Sequence, residues 1–152
     1  MISLAEPFPR PLQEQPQLIE RITGIEDSSR NWSLAMTLEH TNIVASLIIK
    51  VVTLLGSGTV PDFHIQTARV KPQGEKTWLE NVKDFEGILN AELPQLSDPS
   101  LMRDSPQKLD HPWFGPLCAR EWVWLLGVHQ TVHRRQSEKI LKKLTHIVRA
   151  VP

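Results

Sequence analysis

Two histidines stand four residues apart in "EWVWLLGVHQTVHRRQ", where His129 and His133 fall within residues 121–136. An α-helix turns by about 100° per residue, so side chains four apart lie one above the other on a single face. That face also carries Trp122, Leu125, Leu126, Gln136 and Ile140, a largely apolar stripe that the helix must bury. Burying an imidazole without partners costs about 1–3 kcal/mol. A divalent metal held by both rings satisfies the two at once. So does a plainer arrangement, in which each ring hydrogen-bonds a carbonyl or a neighbouring side chain. The pair alone leaves both readings open.

A third donor narrows the choice. His40 has Met36, Ile43, Val44 and Leu47 around its face of a second, very apolar helix, so it too should point inward. Three neutral imidazoles from two packed helices make a facial site with positions open to water or substrate, the pattern of a catalytic rather than a closed structural centre. Glu39 is the nearest carboxylate, but it lies about 100° around the helix from His40, which makes it a poor fourth ligand and a weak nominee for a general base. His111 precedes Pro112 in the loop entering the last helix, and His129 lies about 15 Å along that helix from its start near residue 119, so His111 reads as structural, with Trp113, Phe114 and Gly115 as a plug tucking their loop down. His64 and His146 read as surface residues, and Cys118 as a helix cap.

Several chemistries lack their motifs. The sequence has no Glu-x-x-His pair for a di-iron carboxylate bundle and no His-Glu-x-x-His for a zinc protease. It also has no glycine-rich phosphate loop.

The elements that must position the histidines are helical. Residues 1–11, with Pro7, Pro9 and Pro11, predict an extended arm. A first helix is expected from Leu12 to about Ile25, beginning in earnest near Pro16. The second should be capped by Ser28, Ser29 or Asn31 and end at Gly56 and Gly58. A connection follows over 57–75, with a short irregular strand at "FHIQTARV". The third helix lies in "EKTWLENVKDFEGILNAEL", with Trp78, Val82, Phe85, Ile88, Leu89 and Leu93 recurring on one face until Pro94 closes it. After a second long connection over 95–117, the fourth runs from Ala119 to Val148, opened by the capping-box pattern of Cys118 and Glu121. The prediction is a single all-α domain over residues 1–152, a helical bundle with long connections between helices two and three and between three and four.

Composition sets the partners. Lys plus Arg number 17 and Asp plus Glu number 17, so no excess positive charge exists to displace counterions from nucleic acid. No basic amphipathic segment suits an anionic membrane, and "IVASLIIKVVTLL" is short for a bilayer and holds Lys50 in its middle. The single cysteine excludes an internal disulfide, and the N-terminus has neither a basic nor an apolar leader region. A cytoplasmic protein acting on a small molecule, with no nucleic-acid or membrane partner, is the expectation.

The stretch "HPWFGPLCAREWVWLLGVHQTVHRRQ", residues 111–136, resembles the last-helix signature of the DinB-like superfamily. The closer likeness is to a branch with a His-Pro-aromatic-Phe-Gly entry, then Glu-Trp and His-x-x-x-His. "NWSLAMTLEHTNIV", residues 31–44, resembles the second helix of that family. The resemblance implies a four-helix bundle in which His40, His129 and His133 bind a divalent metal, commonly nickel or zinc, and in which chains often pair as homodimers. It further implies activation of a water or a low-molecular-weight thiol, as in hydrolases or S-transferases. The alternative is a non-catalytic homodimeric bundle that keeps the fold. Thr131 and Val132 stand where several members of the branch carry a polar residue or histidine, so no accessory ligand is expected from there.

Overall fold

The computed structural model describes residues 2–101 and 104–150, and these are mostly helical with little sheet. The helices are α1 (Ile2–Ala5), α2 (Arg10–Glu14), α3 (Leu34–Gly56), α4 (Trp78–Gly87) and α5 (Ala119–Ala150). Two short antiparallel pairs join them, β1 (Gln17–Leu18) with β2 (Asn31–Trp32) and β3 (Lys108–His111) with β4 (Gly115–Cys118). The described residues fall into two compact units. One draws on residues 2–41, 72–83 and 129–150, the other on 42–71, 84–101 and 104–128.

In the first unit the N-terminal prolines do not enforce an extended arm. Proline's fixed φ is suited to the first turn of a helix, and Pro11 sits there in α2. The two short helices are tied by Gln13, whose buried amide donates to the carbonyl of Ala5 at 2.8 Å. The helix expected over 12–25 is likewise not formed. Proline disfavours helical backbone in the residue before it. Gln15, preceding Pro16, is accordingly extended (φ −81°, ψ 121°), and α2 ends at Glu14. Beyond it Gln17 is buried, Leu18 exposed and Ile19 buried, the alternation of a strand rather than the turn of a helix. Gln17 pairs with Trp32 and Leu18 with Asn31.

Helix α3 is capped by Ser33 rather than by Ser28, Ser29 or Asn31: its hydroxyl accepts the backbone N–H of Met36 at 3.0 Å. By length and composition its 23 residues are enough to cross a bilayer, but 61% of its most apolar window is buried inside the fold. Its C-terminal stretch supplies most of the second unit's core. Val44, Ala45, Ile48, Ile49, Val51, Val52 and Leu55 there meet Ile88, Leu96, Leu109, Trp122 and Leu125.

The second unit contains three departures from expectation. The connection 57–75 holds a short 3₁₀ turn, Thr67–Val70, where an irregular strand was expected. Helix α4 does not run straight to Pro94. After Gly87 it widens to a π turn (Ile88–Glu92) and then tightens to a 3₁₀ turn (Leu93–Ser97), which accepts Pro94 in its first turn. The changed pitch turns Leu89 and Leu93 outward while Ile88 and Leu96 stay buried. The third departure is the β3–β4 hairpin inside the long connection 95–117, with Leu109 opposite Leu117 and His111 opposite Gly115. Gly115 has φ +71°, a conformation that side chains resist, which lets the chain reverse there.

Candidate metal centre

Helix α5 delivers His129 and His133 one above the other, and α3 delivers His40, all within the first unit. His40 and His133 are buried and His129 is half-buried. One ring nitrogen from each lies within 4.8 Å of the others, so the three are close enough to hold a metal ion. The Nε2 atoms of His40 and His129 face each other at 3.0 Å. The three ring centroids are 4.4–4.9 Å apart. The juxtaposition expected from the two helical faces is present.

Strand β2 builds the wall behind them. Its Trp32 is buried, stacks on His133 with a 14° interplanar angle, and tilts over His40 at 5.0 Å between centroids. The segment leading to β2 is fastened along α5. Lys143 reaches the carbonyl of Leu18, Lys139 pairs with Glu20 at 3.1 Å, and Gly24 lies against Val132. Gly24 has φ +91°, a backbone conformation that favours glycine, while a Cβ there would meet Val132 only at ordinary contact distance, 3.4 Å. Arg30 closes the segment by donating from Nε to the carbonyl of Ile19 at 2.9 Å.

The chemistry of the donor set suits a metal. Burial pushes the pKa of His133 down to about 4, helped by the nearby His40 ring and opposed by the hydrogen bond to Gln136. Its imidazole is therefore neutral near pH 7, as ligation requires. His133 Nδ1 meets Gln136 Oε1 at 2.7 Å, which leaves the opposite ring nitrogen for an ion. Three imidazoles suit nickel, zinc, iron or copper.

Glu39 has a different task. Although buried beside His40 in the sequence, its carboxylate accepts the backbone N–H groups of Gln73 at 3.0 Å and Gly74 at 3.1 Å, and so pins the loop before α4. The remaining histidines stand apart from the cluster. His64 and His146 are exposed. His111 belongs to the second unit, where it stacks on Phe114 at 4.7 Å and lies 5.4 Å from the buried Trp122, and burial lowers its pKa. The expected plug is reversed: Trp113 and Phe114 are each 60% exposed at the hairpin tip, and it is His111 that turns inward. Cys118 supplies the backbone N–H that Glu121 accepts at 2.8 Å, the reciprocal half of a capping box.

Two contributors were not foreseen as such, Trp32 and the pairing of Gln136 with Ser29. Trp32 sits in "NWS", eight residues before His40, where a period-two reading of 31–32 was the available signal. No protein-family model matches the chain, and no curated protein or solved structure matches it.

Proposed function

We propose that this chain is a metal-dependent enzyme of the DinB-like kind, a four-helix bundle acting as a cytoplasmic homodimer on a small molecule. The observation that carries the reading is the cluster itself, in which His40, His129 and His133 bring three ring nitrogens within 4.8 Å of one another. The resemblance of residues 31–44 and 111–136 to that superfamily supports the rest. A divalent ion held there, nickel or zinc first, supplies Lewis-acid activation of a water or a low-molecular-weight thiol for hydrolysis or S-transfer. The chain's own residues orient the donors: Trp32 walls the His40 and His133 rings, and His129 is the most exposed of the three.

A second reading is favoured by one contact. The direct Nε2–Nε2 approach of His40 and His129 at 3.0 Å is also what a non-catalytic bundle would use to satisfy its buried imidazoles. Elemental analysis of protein purified without a metal-affinity tag separates the two. Near one divalent ion per chain, lost in a His129→Ala, His133→Ala double variant, is the expected result. Adding a small thiol to nickel-loaded protein should then change the metal's absorption spectrum. Metal-free protein that takes up neither nickel nor zinc on dialysis leaves only the non-catalytic bundle.

A further inference from the structure

Beyond the three histidines, the same unit holds a buried chain of hydrogen bonds. Gln136 is fully buried. Its amide nitrogen donates to the backbone carbonyl of Ser29 at 2.7 Å, and its amide oxygen lies 2.7 Å from Nδ1 of His133. The two ends of a glutamine amide are hard to tell apart by shape, so the partners must decide which is which. Here they do. A backbone carbonyl can only accept, so the end facing Ser29 is the NH₂ group. The end facing His133 is then the oxygen, which also can only accept.

A neutral imidazole carries one ring proton. That proton must sit on Nδ1, and Nε2 is left with its lone pair exposed toward the cluster. The Ser29 carbonyl is itself fixed, because the 3₁₀ turn Asp27–Ser29 is closed by the N–H of Ser29 on the carbonyl of Glu26 at 2.9 Å. His40 and His129 face each other through Nε2, a contact in which either ring can donate.

We propose that Gln136 is a positioning residue that, anchored on the Ser29 carbonyl, fixes His133 as the Nδ1-protonated tautomer with its Nε2 lone pair turned toward His40 and His129. His133 thus enters the cluster as a preset donor. The consequence for metal affinity rests on the metal-centre reading above; the tautomer does not. Partners that orient a ligating histidine in this way commonly contribute 10–100-fold to metal affinity.

The test uses the full chain, metal-free, with histidine ring nitrogens labelled with ¹⁵N. Long-range proton–nitrogen correlation should show His133 with a protonated Nδ1 and a bare Nε2. In Gln136→Met, which fills the space but offers no acceptor, the resonances should move toward a tautomer mixture, and zinc(II) affinity should fall about 10–100-fold. His133 protonated on Nε2 in the wild type overturns the proposal without any variant being needed. So does a Gln136→Met protein that keeps both the wild-type tautomer and the wild-type zinc affinity. A wild type with the expected tautomer but no zinc binding supports the positioning role and overturns the metal reading alone.

Discussion

The two units of this chain are built from the same helices but on different terms. Twelve of the fourteen buried polar side chains among the described residues belong to the first unit, and only Asn42 and Ser105 to the second. Helix α3 shows the change within one element. Thr37, Glu39, His40 and Thr41 are buried in its first part, whereas Ile48, Ile49, Val51, Val52 and Leu55 are buried further on. In α5 the buried polar groups His133, Gln136 and Ser137 come later, after Trp122 and Leu125 and before the buried Ile140, Leu141 and Leu144. Buried polar groups need partners, and three of the first unit's hydroxyls find theirs within their own helix or its cap: Thr37 donates to the Ser33 carbonyl, Thr41 to that of Leu38, and Ser137 to that of His133. Both units bury apolar side chains, among them Ile19, Leu34, Leu38, Ile140 and Leu144 in the first, but the first adds nearly all of the buried polar groups, and these set the geometry of the three histidines.

The largest expected effect breaks the apolar side of that comparison. Leu55 is fully buried in the second unit's core, and Leu55→Ala should cost about 2–5 kcal/mol in chemical denaturation through lost burial and the cavity left behind. Zinc affinity measured under folding conditions should stay near wild type, because no ligand or partner of a ligand is touched. A Leu55→Ala protein that keeps its stability but loses the metal would reverse the assignment of roles.

A pH titration of the metal-free protein probes the polar side. A histidine ordinarily titrates near 6.5, whereas His133 titrates at about 4 when folded, so between those pH values the unfolded chain binds a proton that the folded chain refuses. Stability should therefore be full above pH 6.5 and fall as pH drops toward 4, by on the order of 3 kcal/mol, before levelling. His111, lowered by burial in the other unit, adds a slope of the same sign. Urea midpoints across this range should lose most of their pH dependence in His133→Gln and keep most of it in His111→Gln. The opposite ranking would place the titrating burial in the hairpin rather than the cluster.

The parts of the molecule that sequence pattern revealed are those decided within one long helix. The buried stripe from Trp122 through Gln136 to Ile140 and the inward turn of His40 follow from a 3.6-residue period sustained over many turns. What stayed hidden is decided by pairing at a distance. Leu18, Ile19 and Ile22 have helical spacing, but Pro16 and the ladder to Asn31–Trp32 make Gln17–Leu18 a strand, and Ile19 and Ile22 follow in irregular backbone. The β3–β4 hairpin reads locally as a proline-rich loop, and the π turn after Gly87 is a one-residue change of pitch that no periodicity announces. The bond from Gln136 to Ser29 spans 107 residues, so its glutamine was visible on the stripe while its purpose was not.

The smallest effect sharpens the boundary between structure and chemistry inside the first unit. Glu39 adjoins His40 in sequence and is buried, which invites a role as base or ligand, yet both carboxylate oxygens are engaged by backbone N–H groups of the loop before α4. In Glu39→Gln one oxygen becomes an NH₂ group facing an N–H donor, so one of those two hydrogen bonds must be lost. Leaving a buried donor unsatisfied costs about 1–3 kcal/mol, and part of it is recovered if the loop opens to water, which puts the expected loss near the lower end. Hydrogen exchange at the Gln73 and Gly74 amides should speed up, while the His133 tautomer and zinc affinity stay as in the wild type. A loss of zinc with the loop amides still protected would move Glu39 from loop anchor into the metal centre, and the polar unit would then contain a fourth member of its cluster.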